Sequence, residues 1–83
     1  MVIEMGFHKK LIQRGELGEI SKVIEEVREF EDAMEQNLKI LAMWELSDIY
    51  GALELVAEKF HLTMEDLKNM SDKNKELFKS NER

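Results

Sequence analysis

Not one proline interrupts the 83 residues of this chain, and only 4 of them are glycine. Proline breaks a helix by removing a backbone donor and clashing with the preceding turn, and glycine weakens it through backbone entropy. A sequence poor in both, with 36% charged residues, favours long helices. The periodicity agrees. From Glu16 to Gln36 the residues Leu17, Ile20, Val23, Ile24, Val27, Phe30 and Met34 recur at three- and four-residue intervals, the pattern of one buried helical stripe. A second run carries Leu41, Ala42, Trp44, Leu46, Ile49, Leu53, Val56 and Phe60, with Asn37 as the break before it. These runs predict helix A over 16–36 and helix B over 38–60.

Thr63 and Asp66 have the spacing of a capping box, so a short helix is expected from Met64 to Met70. Ser71 can cap a further segment through Phe78, giving short C-terminal helices over 64–78. Residues 1–14 form a mixed apolar and basic lead that reads as a short helix ending at Gly15. The expected fold class is all-α in a single domain of 1–83: an antiparallel helical hairpin plus short helices. A core this small often needs a partner. Met43, Trp44 and Tyr50 lie away from helix B's main stripe, so an oligomeric helical bundle, a homodimer or homotetramer, is expected to cover them.

Composition removes several functional classes. Without cysteine there is no disulfide, thiolate metal site or thiol nucleophile. Lys plus Arg is 12 against 18 Asp plus Glu, a net charge of −6 that repels phosphate backbones, so no nucleic-acid partner is expected. No apolar run approaches the roughly 20 residues that span a bilayer, and no signal peptide is evident; no membrane partner and a cytoplasmic setting follow as expectations.

The acids are distributed more pointedly. Helix A carries Glu25, Glu26 and Glu29, and helix B carries Glu45 and Asp48. At about 100° per residue, Glu26 and Glu29 flank the apolar stripe beside Phe30, while Glu25 points further outward. Ser47, Glu54 and Glu58 mark helix B's solvent face, and Glu45 lies nearly opposite them among Ala42, Ile49, Ala52 and Val56. Asp48 sits at the stripe's other margin. An ionised carboxylate on a core face needs a cation. Lys22 or Lys39 can neutralise one acid but not the four that a hairpin brings together, and four carboxylates form a hard-oxygen site suited to Mg²⁺ or Mn²⁺. His8, beside Lys9 and Lys10, reads as a surface residue, His61 as part of the turn after helix B, and Trp44 as interface packing rather than a base-stacking platform.

Glu25-Glu26-Val27-Arg28-Glu29, then residues 30–44, then Glu45-Leu46-Ser47-Asp48 resembles the EExxE, spacer, ExxD pattern of the all-α nucleoside triphosphate pyrophosphohydrolases, among them MazG-like proteins and phosphoribosyl-ATP pyrophosphohydrolases. The similarity runs from about Gly15 to Lys75 and is greatest to short viral-type members. It implies Mg²⁺-dependent cleavage between the α- and β-phosphates of a nucleotide substrate, giving monophosphate and pyrophosphate. Carried over by position, Glu26, Glu29, Glu45 and Asp48 are metal ligands, and Glu25 orients or deprotonates the attacking water. Lys22 and Lys73 contact substrate. The chain departs from the family in lacking the glycines that commonly follow the downstream basic segment. A catalytically inactive nucleotide- or metal-binding relative and a purely structural helical homodimer are the competing readings.

Overall fold

The computed structural model describes residues 8–80 and, N-terminal to them, the backbone of the strand Ile3–Glu4. Of the lead segment 1–14, residues 1, 2 and 5–7 lie outside the described residues. Helices dominate: α1 spans Ile20–Glu35, α2 Lys39–Glu58 and α3 Met64–Lys79. The lead is not the short helix expected. It contributes β1 (Ile3–Glu4) and β2 (Ile12–Gln13), paired antiparallel with Ile3 opposite Gln13 and Glu4 opposite Ile12.

α1 begins four residues later than the periodicity predicts. Gly18 takes a left-handed φ of 84°, which halts helical propagation, and the extended Glu19 is the N-cap. At its other end Asn37, with φ 63°, closes α1 through Leu38 N–H to Ala33 O (3.0 Å) and Asn37 N–H to Met34 O (3.0 Å). This paired bonding is the Schellman stop. His61 (φ 58°) does the same after α2, with Leu62 N–H bonded to Ala57 O and His61 N–H to Glu58 O, both at 3.1 Å. The expected turn role of His61 is observed.

α3 starts as expected: Thr63 Oγ1 accepts from Asp66 N–H (3.1 Å) while Asp66 Oδ2 accepts from Thr63 N–H (2.9 Å). It then runs through Ser71 without a stop, so one helix replaces the short C-terminal helices predicted over 64–78. No glycine or proline lies between 64 and 79, and the Lys68–Asp72 ion pair (2.9 Å) bridges consecutive turns across the supposed break. α3 buries none of its residues.

α1 and α2 pack on one another across a three-residue connection, and β2 lies against α1. The faces used are the main correction to the sequence reading. Of the predicted α1 stripe only Val23 is buried; Leu17, Ile20, Ile24, Val27 and Met34 are exposed. The buried face carries Glu25, Glu26, Glu29, Asp32 and Ala33 instead. Helix B's expected core side is observed, with Ala42, Glu45 and Ala52 buried. Ala33, Ala42, Ala52 and Ala57 make up most of the buried apolar set, joined by Val23 and Ile12. Of the apolar run predicted for helix B, Trp44, Leu46, Leu53 and Phe60 are exposed; Leu46 and Leu53 form with Met43 and Tyr50 an exposed line that repeats every three and four positions on α2. No described helix is long and apolar enough to cross a membrane.

Candidate metal centre

The periodicity that puts Ile20, Ile24 and Val27 on one side of α1 puts Glu25, Glu29 and Asp32 on the other, at i, i+4 and i+7. α2 presents Glu45 and Asp48, one turn apart, to that acidic face. The outcome is that Glu26, Glu29, Glu45 and Asp48 each offer a carboxylate oxygen within 4.8 Å of the others. The three glutamates are buried and Asp48 is half-buried. The four residues expected to form a metal site are thus together.

Their environment shows strain of a specific kind. Burial, reinforced by the neighbouring charges of Asp48 and Glu26, raises the pKa of Glu45 despite a hydrogen bond with Glu29 and the proximity of His8, which act in the other direction. The Oε2 atoms of Glu26 and Glu45 are buried with no hydrogen-bond partner. Such atoms carry a desolvation cost that a bound cation removes. Donors on opposite sides of one Mg²⁺ lie about 4.2 Å apart, twice the roughly 2.1 Å ligand distance. The observed separations, all within 4.8 Å, are close to that spacing. The residues fit the hard divalent cation that the sequence pattern implies.

Glu25 does not point outward as its helical phase suggested; it is 1% exposed. Its Oε1 accepts from Gly15 N–H at 2.8 Å and from Lys22 Nζ at 3.1 Å. The approach of Gly15 needs a residue without a side chain, because a Cβ there lies 2.2 Å from the carbonyl carbon of Ser21. Lys22 also reaches Glu26 Oε1 at 3.0 Å. Burial works to lower the Lys22 pKa, but its two carboxylate partners outweigh burial and raise it. Lys22, Glu26 and Asp48 line an open cleft of about 480 Å³, together with Leu17, Ser47 and Gly51 among others. Lys73 is exposed on α3 and does not line that cleft. Trp44 borders a separate apolar hollow with Leu38 and Ile40.

Two residues were missed. His8 is not a surface residue: its side chain is 6% exposed, with Nδ1 2.9 Å from Asp32 Oδ2 and Nε2 3.7 Å from Glu45 Oε1. Asp32 Oδ2 also accepts from Lys9 N–H (3.0 Å) and Gln36 Nε2 (2.8 Å). Burial favours the neutral acid, yet His8 and these donors prevail and lower the Asp32 pKa. Asp32 was legible as the next member of the Glu25–Glu29 face. His8 reaches that face through the β1–β2 connection, which no helical period reports.

Comparison with protein-family models, with curated proteins and with solved structures gives no match to this chain. The chemistry of the site therefore rests on its own residues.

Proposed function

We propose that this chain is a Mg²⁺-dependent nucleotide pyrophosphohydrolase, cleaving between the α- and β-phosphates of a nucleoside triphosphate. The observation that carries the reading is the convergence of Glu26, Glu29, Glu45 and Asp48 from two helices beside a cleft that Lys22 lines. A bound divalent ion supplies charge neutralisation at phosphate oxygens and a lowered water pKa. The protein's part is to hold four carboxylates in one place before the ion arrives, and to present Lys22 to an anionic substrate. Glu25 anchors Lys22 through Oε1, and we assign it the orientation of the attacking water. Mn²⁺ suits the same oxygens.

The proposal includes self-association of an antiparallel hairpin into a helical bundle. Isolated, the chain exposes Ile20, Ile24 and Val27 on α1, and Met43, Leu46, Tyr50 and Leu53 on α2. Contiguous apolar faces of this kind mark interaction sites. A second copy covers them at no cost in new sequence.

A nucleotide panel assayed for pyrophosphate release, with Mg²⁺ and with chelator, tests the reading. Mg²⁺-dependent release of equimolar monophosphate and pyrophosphate is expected, and its absence across the panel removes the enzymatic claim. A relative that binds without turnover is the second reading, favoured by the position of Lys73, which leaves the cleft of one chain with Lys22 as its lysine.

A further inference from the structure

The residues around His8 have the arrangement of an oriented metal ligand. Asp32, buried and hydrogen-bonded by three donors, accepts from Nδ1 at 2.9 Å and so leaves Nε2 as the nitrogen directed away from it. Nε2 faces Glu45 Oε1 at 3.7 Å, too long for a hydrogen bond. Together with Glu29, these two residues place three ligand atoms within 4.8 Å of one another. Glu45 is 4% exposed, and its Oε2 has no hydrogen-bond partner. A carboxylate that fixes one nitrogen of a histidine while the other turns toward further ligands is the usual outer support of a metal-bound imidazole.

We propose that His8, Glu29 and Glu45 form a second cation site, selective for a borderline ion such as Zn²⁺, with Asp32 as the positioning residue. An imidazole nitrogen added to carboxylates shifts preference away from Mg²⁺ and toward borderline metals. Glu26 and Asp48 belong only to the four-carboxylate group, His8 belongs only to this one, and Glu29 and Glu45 belong to both. The two sites would therefore share Glu29 and Glu45. This inference rests on the proposed metal reading only through Glu29 and Glu45; its nitrogen ligand is independent of it.

The test is made on the full chain freed of metal. Calorimetric titration with Zn²⁺ and with Mg²⁺ is run on the wild type, His8→Asn, Asp32→Asn and Asp48→Asn, each checked for folding by circular dichroism. Asparagine at position 8 retains a donor near the place of Nδ1 and deletes the Nε2 ligand. His8→Asn should weaken Zn²⁺ at least tenfold and change Mg²⁺ by less than threefold. Asp32→Asn should weaken Zn²⁺ about 10–100-fold with His8 still present. Asp48→Asn should reverse the order, losing Mg²⁺ and keeping Zn²⁺. In the unmutated protein, X-ray absorption of Zn²⁺ bound at one equivalent should show imidazole scattering, a readout that survives even if a variant fails to fold. Unchanged Zn²⁺ affinity in His8→Asn, or bound Zn²⁺ without imidazole scattering, overturns the second site and identifies His8 as a structural ion-pair partner. Absence of Mg²⁺ binding in the wild type with imidazole ligation of Zn²⁺ observed instead overturns the Mg²⁺ reading and leaves this one standing.

Discussion

Replacing Glu45 by glutamine should stabilise the metal-free protein while abolishing hydrolysis. Glu45 lies with three other carboxylates whose ligand oxygens are all within 4.8 Å. Two unit charges at that separation repel by about 3.5 kcal/mol at an effective dielectric near 20. The hydrogen bond between Glu45 and Glu29 and the nearby His8 already offset part of this repulsion. About 1–2 kcal/mol should remain to be gained, or roughly 5–15 °C in Tm for a chain this size. The pH dependence fixes the sign. A carboxyl whose pKa is raised on folding contributes stability fully present below its unfolded value, near 4.5, and lost as pH rises through the folded one. The advantage of Glu45→Gln should therefore be largest at pH 7–8 and vanish near pH 4. With saturating Mg²⁺ the wild type should gain more than the variant, since only it retains the full ligand set. Thermal melts of both proteins across pH, with and without Mg²⁺, make the measurement. A metal-free variant destabilised by about 3–5 kcal/mol at pH 7 would refute the reasoning, because that is the cost of breaking a buried ion pair, here with His8.

Four further outcomes follow from the same structure. Gly15→Ala should cost about 2–3 kcal/mol in a denaturant titration, because its Cβ meets the Ser21 backbone and the hydrogen bond to Glu25 is lost. His61→Gly should raise Tm by about 4–8 °C, through relief of about 1 kcal/mol of left-handed strain. Light scattering should find an oligomer in the wild type and a shift toward monomer in Leu46→Glu/Tyr50→Glu; a wild-type monomer of 9.8 kDa at micromolar concentration removes the interface. The lowered pKa of Asp32 means that its stabilisation is complete above the unfolded value near 3.8 and lost as pH falls through the folded one, so Asp32→Asn should shrink the loss of stability in acid melts.

The helices were legible because their signals are local. Apolar spacing located α1 and α2, Asn37 marked the break, and Thr63 with Asp66 marked the start of α3. Ser71 misled because a serine that can cap a helix can equally sit inside one, and no neighbouring glycine forces a stop. The inversion of α1 has a deeper cause. Periodicity reports that a helix has two faces but not which face meets its own chain; in α1 the aliphatic face turned out and the acids turned in. Glu26, Glu29, Glu45 and Asp48 could be grouped because each lies on a helix whose phase is known. Glu25 was misplaced because the chain that covers it, at Gly15, folds back from outside any helix. His8 was hidden for the same reason, since its position depends on a strand pair of only two residues a side.

The alanines between α1 and α2 act as a spacer gauge. Ala33 lies one turn beyond Glu29, Ala42 one turn before Glu45, and Ala52 one turn beyond Asp48. All three are buried on the faces that carry those acids. A buried side chain of one methyl group lets neighbouring backbones approach closely, and volume added at these positions is expected to widen the aperture between the opposing carboxylates. Every methylene added there pushes the helices apart, so a leucine would widen the aperture without touching a ligand. Under the proposed metal reading, ionic radius would be discriminated by residues with no polar atom in their side chains, and metal preference would be retuned by volume alone. A series from Ala42→Gly to Ala42→Val should shift the preference from smaller toward larger divalent ions.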